Sequence, residues 1–440
     1  MATSKTATKP ARTRARPGTY FLSLTVENVR CFGPAQTLDL SDGDGRYAHW
    51  TVILGENGVG KTTLLTGLAT ITMAGPPFGD SSDLEAENRR TYRWMLGLPN
   101  LRRNSTDRGG FRGVVAVSNR SGESRELEVR SEGPSVQVIG HMLAREIFCL
   151  KYGASRHMPQ RGGFAEYDEN DPTFLDDDVA LRDPEDWFLR ADYNARLRRS
   201  HARKFENFAR RVQQALVSVL PDVTDIRIEA SDELSGSPRV EARTPYGWVA
   251  LRRLGFGYQS QIAWLVDFAS RMFERYPDSP DPLAEPAVVL VDEIDLHMHP
   301  RWQRQVIDHL SKLCPATQFI VTAHSPLVVQ AAADANIVLL RREGDHVVID
   351  NDPEVLRNWR VDQILTSELF GLDSARPPQI EAQVKERRAL LAKPKLTSRD
   401  RGRLAKLEAE IGDLPAGESA EDRRAMQLIR RAAEKLQSNA

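Results

Sequence analysis

The chain has 440 residues, 40% hydrophobic and 28% charged, which allows a sizeable core in roughly two to three domains and excludes wholesale disorder. Its 60 basic residues balance 61 acidic ones for a net charge of -1, so a basic coat over the whole molecule is excluded while local patches stay open. Cys31, Cys149 and Cys314 form no CxxC pair, and neither an apolar run of roughly 18 residues nor a secretory signal is visible. That excludes a disulfide scaffold, a zinc finger and a membrane span, and a soluble, cytoplasmic protein with no membrane contact is expected.

Residues 1–18 carry Lys5, Lys9, Arg12, Arg14 and Arg16 and no acid, which predicts a disordered tail, either solubilising or touching a phosphate backbone. The apolar, β-prone stretch 20–26 predicts the first strand, with further strands near 37–40 and 50–54 and a helix over 63–73. Beyond residue 75 the composition changes. Strands near 113–117 and 126–130 suit a hairpin, residues 166–186 are strongly acidic, and 184–220 read as one helix. That helix has an apolar stripe through Phe208, Val212, Leu216 and Val219 and a basic face with Arg190, Arg196, Arg198, Arg199, Arg203, Lys204, Arg210 and Arg211. The basic face has three readings: a grip on nucleic acid, neutralisation of the acidic segment, or plain solvation. A hairpin over 239–251, a helix over 259–276, a buried strand at 287–291, a helix over 301–313, a strand at 318–322 and a helix from 326 follow. Residues 337–341 and 346–350 read as a closing strand pair. The remainder is helical and charged, with helices expected over 379–391, 398–410 and 420–437.

Three motifs carry the chemistry. Gly55-Glu56-Asn57-Gly58-Val59-Gly60-Lys61-Thr62-Thr63 is a P-loop between an apolar strand and a helix. Its glycines let backbone N–H groups cradle phosphates, Lys61 adds a point charge, and the Thr62 hydroxyl suits Mg2+. Asp292 ends the apolar strand 288–291, where it would hold Mg2+ through water, and the adjacent Glu293 is placed to polarise an attacking water. The strand 319–322 delivers His324 at its C-terminal end, the edge at which open α/β sheets bind ligands, as a candidate γ-phosphate sensor. ATP and Mg2+ are thus the expected cofactors.

In this order the motifs resemble the ABC-type ATPase heads of SMC, RecF and OLD-family proteins, over roughly residues 20–75 and 239–350. Residues 26–32 look like the first strand and turn of that group. The stretch from Val291 through Asp292, Glu293 and His297 to Pro300 resembles the DEIDLHLHP string of its compact members. The resemblance implies an α/β fold: an ABC-type P-loop head, a mixed sheet flanked by helices, with an inserted helical arm and a helical C-terminal segment. The implied division is 1–19 tail, 20–75 first head part, 76–238 arm, 239–350 second head part and 351–440 C-terminal segment. It also implies a homodimer that sandwiches ATP between each P-loop and the partner's signature motif. That motif falls at residues 254–260, where Gly255 replaces the usual serine and keeps a backbone N–H, with Gly257 two positions on. Slow hydrolysis is expected. His297 and His299 fall in the D-loop, the alternative being a metal pair. The Tyr152-Gly153-Ala154-Ser155-Arg156 element also recurs in the group. Arg156 is expected to reach phosphate or to couple the arm to the nucleotide, the alternative being a structural arginine.

The segment of about 160 residues between the head parts is too short for long coiled coils, and the last 90 residues are too short for a Toprim nuclease domain. What remains looks like the stand-alone ATPases of bacterial anti-phage systems, the Septu ATPase and its retron-associated relatives. That resemblance implies a protein effector such as an HNH nuclease, with the C-terminal helices as its docking segment. A RecF-like DNA-repair ATPase that binds DNA with ATP is the alternative, and a cryptic nuclease within the chain is a further one.

Overall fold

A computed structural model describes residues 18–72, 110–119, 123–132, 135–140, 146–159, 181–197, 202–229, 238–353, 359–372, 374–393 and 396–411. The basic tail, most of the acidic stretch and the helix expected over 420–437 lie outside the described residues. The chain forms two compact units, Met1–Gly371 and Leu372–Ala440.

The strands of the first unit are β1 (Thr19–Glu27), β2 (Gln36–Asp39), β3 (Trp50–Gly55), β4 (Arg112–Asn119), β5 (Ser124–Glu132), β6 (Ser135–Ile139) and β7 (Cys149–Tyr152). They continue with β8 (Asp225–Glu229), β9 (Arg239–Thr244), β10 (Gly247–Ala250), β11 (Ala287–Val291), β12 (Thr317–Thr322), β13 (Asn336–Glu343) and β14 (His346–Asp350). The helices are α1 (Lys61–Thr72), α2 (Pro184–Arg196), α3 (Ala202–Val219), α4 (Phe256–Arg275), α5 (Pro300–Gln303), α6 (Val306–Leu313), α7 (Pro326–Ala331) and α8 (Val361–Leu365).

A six-stranded mixed sheet with the order β14-β13-β3-β12-β11-β7 carries the motifs. Its neighbours are parallel except β14, which returns antiparallel on β13. Every residue of β11 and β12 is buried, the pattern of parallel strands covered on both faces. Alternation along each strand then divides the side chains. Val52, Leu54, Val289, Val291, Phe319 and Val321 join one core, which includes Ile262 and Trp264 of α4. Ile53, Val288, Leu290 and Ile320 join the other, with Leu64, Leu65 and Leu68 of α1 and with Leu24, Val115 and Val117. Helix α1 therefore packs between the mixed sheet and a second, antiparallel sheet of order β2-β1-β4-β5-β6. This is an α/β P-loop fold, a mixed sheet flanked by helices.

The segment expected as a helical arm contributes strands to this head. β4 and β5 form the expected hairpin, but β4 also pairs along β1 from Thr19↔Asn119 to Glu27↔Arg112. An unpaired edge of β1 would leave its backbone donors and acceptors unmet, and β4 meets them while burying Val115 and Val117. β7 likewise completes the edge of the mixed sheet beside β11.

The helix expected over 184–220 is two helices. The Asp183 carboxylate caps α2 by accepting the Glu185 N–H at 3.0 Å, and Leu197 ends it in extended backbone. A single straight helix would separate Phe188 from Phe208 by about 30 Å. The break lets both enter one core, where Trp187 meets Phe208 edge-on at 5.9 Å and Phe208 stacks on Phe273 at 4.5 Å. Five cations of the basic face are paired: Arg190 with Asp186, Arg196 with Asp192, Arg210 with Glu206, Lys204 with Asp278 and Arg211 with Asp281. Arg203 is exposed with no ion pair among the described residues, and Arg198 and Arg199 lie outside them. The expected helix over 301–313 is likewise divided into α5 and α6.

The second unit contains α9 (Pro378–Leu391) and α10 (Ser398–Ile411). They run antiparallel, joined by Arg403–Glu386 at 2.6 Å and Arg387–Glu408 at 3.4 Å, with Leu390 and Leu407 buried.

Candidate functional site

The P-loop leaves the C-terminal end of β3, the interior strand between β12 and β13. Gly60 has φ 94°, and a Cβ there would meet Cys31 Sγ at 2.4 Å, so glycine is required where the loop lies on the turn after β1. The Cys31 thiol donates to Val59 O at 3.6 Å and seats the loop from below. Lys61 Nζ donates to Gly55 O and Glu56 O, both at 2.8 Å. Burial lowers the Lys61 pKa from its ordinary value, against the opposing pull of Asp292, Glu293 and Asp295. Asn57 and Gly58 form the exposed tip of the loop. The Thr63 side chain turns inward, where Arg30 approaches its hydroxyl at 3.5 Å.

Thr62 and Asp292 meet directly, the Thr62 hydroxyl donating to Asp292 Oδ2 at 2.6 Å. The other carboxylate oxygen accepts from the Thr322 hydroxyl at 2.5 Å. Thr322 in turn accepts the Glu293 N–H at 2.7 Å. Three neighbouring strands thus bring P-loop, Asp292, Glu293 and Thr322 to one sheet edge. A hydroxyl and a carboxylate side by side are hard oxygen donors of the kind Mg2+ prefers, so these residues fit that ion. Glu293 is half-exposed with φ 49°, in the left-handed region that a glutamate rarely adopts.

His324 joins through its backbone, its N–H donating to Asp295 Oδ2 at 3.0 Å while the residue is exposed. Arg156 is buried, and its guanidinium donates to the carbonyl oxygens of Asp292 and Glu293. That position links it to the strand-end acids.

Gly255 caps the N-terminus of α4, and Gly257 lies against the D-loop, where a Cβ would meet His297 O at 2.3 Å. The Phe256 ring meets the His297 ring edge-on at 4.6 Å. No hydrogen bond among the described residues joins Gly255 or Gly257 to the P-loop. His299 instead caps α5, accepting the Arg301 N–H at 3.3 Å. Among the described residues no group of three or more His, Cys, Asp or Glu is placed to hold a metal ion.

Sequence reasoning missed Thr322, Asp295 and Arg30. Thr322 lies in the strand that precedes His324, and Asp295 in the stretch from Val291 to Pro300, with no role assigned to either from the sequence. Arg30 lies in the turn after β1, at φ 46°.

The AAA domain family AAA_21, whose description also names the AbiEii toxin and the Type IV TA system, matches residues 50–330. The chain belongs to this AAA-domain family. The match begins with β3 and ends within α7, so it covers the P-loop, Asp292, Glu293 and His324 together. The chain is 24% identical to the Septu protein PtuA of Bacillus mycoides (strain KBAB4) over 77% of its own length and 43% of that protein's. It is 27% identical to the Septu protein PtuA of Bacillus thuringiensis over 75% of this chain and 81% of that one. A shorter match, 34% identical over 30% of this chain and 23% of the relative, is to the Retron Ec83 probable ATPase of Escherichia coli. The chain thus spans less than half the length of the Bacillus mycoides relative. Among solved structures it is similar to the SMC head domain from Thermotoga maritima, with TM-score 0.42, 14% identity, and coverage of 76% of this chain and 99% of that one. No helix among the described residues is long and apolar enough to cross a membrane.

Proposed function

We propose that the protein hydrolyses ATP at this site, closes as a head-to-head dimer on two nucleotides, and thereby controls a partner effector in bacterial anti-phage defence. The effector class is a nuclease of HNH type. The observation that carries the reading is the chain of contacts from Thr62 through Asp292 and Thr322 to Glu293.

In this reading the P-loop amides from Glu56 to Thr63 and Lys61 bind the phosphates. Thr62 and Asp292 would hold Mg2+, which would supply charge neutralisation to the bound phosphates. Glu293 takes the proton of the attacking water as its oxygen bonds to the γ-phosphorus and the bond to the ADP oxygen breaks, giving ADP and phosphate. His324 faces the γ-phosphate from the end of β12. Gly255 and Gly257 present α4's N-terminus to the partner's nucleotide. Two Septu relatives of the chain, together with the P-loop, the Asp292-Glu293 pair and His324, support the defence reading. The RecF-like alternative draws on the basic face of α2 and α3, five of whose cations have a carboxylate partner while Arg203 is exposed without one among the described residues.

The test is direct. Lys61→Ala abolishes Mg-ATP binding without unfolding the chain. Glu293→Gln keeps binding, turns over about 10²-fold more slowly or worse, and accumulates as a dimer in sedimentation. Equal turnover in Glu293→Gln and wild type refutes the assignment, and an unchanged association state with ATP refutes the dimer.

A further inference from the structure

Arg156 lies just beyond the edge strand β7, outside the three phosphate-site motifs, yet its side chain is spent on the residues that end β11. Nη1 donates to Asp292 O at 2.5 Å and to Gly153 O at 2.9 Å, and Nη2 donates to Glu293 O at 2.6 Å. The residue is only 3% exposed. Desolvation pushes its pKa down to about 10 against the pull of Asp292, Asp295 and Glu293. Its own carbonyl oxygen accepts from Ser260 Oγ at 2.9 Å, and Ser260 lies in the first turns of α4, three residues past Gly257. A second tie runs in parallel: the Tyr152 hydroxyl donates to Asp267 of α4 at 2.9 Å, and Tyr152 O accepts the Asp292 N–H at 2.8 Å.

We propose that Arg156 is the positioning residue for Glu293, holding its peptide in the left-handed conformation and tying it to the signature helix α4. The inference rests on the reading of Glu293 as the hydrolytic residue. Without a clamp, glutamate favours φ below zero. The Thr322 hydroxyl holds the N–H side of the Glu293 residue and Arg156 its carbonyl side. The planar guanidinium serves two successive carbonyls at once, which the point charge of a lysine does not reproduce. Because the Arg156 backbone is fixed to Ser260, a displacement of α4 at the partner's nucleotide displaces the clamp, and with it Glu293. The two halves of a nucleotide sandwich are in this way coupled inside one chain.

The experiment uses the full chain with Arg156→Lys, Ser260→Ala, the double variant and Glu293→Gln. It measures kcat, KM and Mg-ATP affinity with a fluorescent ATP analogue. Arg156→Lys lowers kcat by about tenfold or more while KM and affinity stay within about twofold, the signature of misplaced chemistry rather than lost binding. Ser260→Ala produces a smaller fall in kcat, and the double variant is no slower than Arg156→Lys, because both act on one path. In a fifth variant, Arg156→Ala, guanidinium at low concentration restores part of the activity, which a merely structural arginine would not allow. An unchanged kcat in Arg156→Lys beside an inactive Glu293→Gln overturns the positioning role alone. Weakened ATP affinity at intact kcat overturns it in favour of direct phosphate contact. Hydrolysis unaffected by Glu293→Gln overturns the underlying reading as well. Should Arg156→Lys fail to fold, an unchanged kcat in Ser260→Ala overturns the tie to α4.

Discussion

Gly257→Ala is the perturbation whose outcome the structure constrains most closely. The new Cβ would stand 2.3 Å from His297 O and 3.5 Å from its carbonyl carbon. Real Cβ atoms do not come within 3.0 Å, so helix or D-loop must separate by at least the 0.7 Å between those values. His297 has little room to give, since its φ is 61° and its ring is held edge-on by Phe256. Overpacking of this kind costs about 1–3 kcal/mol. The intrinsic preference of a helix for Ala over Gly returns about 0.5–1 kcal/mol, so a net loss centred on about 1 kcal/mol, and no larger than about 2.5 kcal/mol, is expected in urea unfolding. Gly255→Ala is the internal control, because its Cβ meets nothing nearer than Tyr258 Cδ2 at 4.0 Å. It should stay within about 0.5 kcal/mol of wild type. ATP turnover, read by phosphate release, should fall by about tenfold in Gly257→Ala through displacement of the D-loop, with ATP affinity retained at the P-loop. Equal stability and turnover in the two variants would refute the packing argument.

Two further predictions follow from other parts of the head. Gly255→Ser restores the signature hydroxyl at an exposed helix N-cap, so turnover rises and stability gains a few tenths of a kcal/mol, roughly; slower phosphate release would show that the glycine is no handicap. His49 packs on Trp50 and Phe319, with Nε2 3.3 Å from Cys314 O, and burial lowers its pKa below 6.5. A depressed histidine contributes no penalty above the unfolded value and a growing one as pH falls from 6.5 toward the folded pKa. Urea midpoints at about pH 7.5 and about pH 5.5 should therefore differ less in His49→Gln than in wild type, and an identical difference would remove His49 from the account.

The elements that could be read in advance share one property: their pattern is local. β3, β11 and β12 are short apolar runs followed by chemistry, and each is buried along all or nearly all of its length. β7 is four residues, Cys149-Leu150-Lys151-Tyr152, with a lysine in the middle, and it becomes a strand only because β11 offers an edge. The division of the arm into α2 and α3 was hidden for a different reason. The helical period of 184–220 continues through the break, and only the shared core of Phe188 and Phe208 demands that the chain fold back. At the site, Asp292 and Glu293 stood out as acids at the end of an apolar strand. Thr322 did not, because a β-branched residue in a strand is unremarkable until its hydroxyl is seen between Asp292 and the Glu293 amide.

The charge pattern of α2 and α3 shows how far composition carries and where geometry takes over. Written along a helix, Arg190, Arg196, Lys204, Arg210 and Arg211 form a basic face, and a basic face attracts phosphate. In the fold, three of the cations pair with acids on their own helices, while Lys204 and Arg211 reach Asp278 and Asp281 in the loop after α4. Exposed pairs of this kind contribute little to stability. Their effect is on the field: each of these five cations stands beside a carboxylate, which reduces the charge they offer to a nucleic-acid backbone, while Arg203 beside them is exposed with no ion pair among the described residues. The bonds from Lys204 and Arg211 also fix the helix pair to the segment that leads from α4 into β11. α3 thereby packs on the head at the far end of the helix that begins at Gly255, with Phe208 stacked on Phe273 and Lys204 and Arg211 on the loop that follows, rather than standing free as a separate arm.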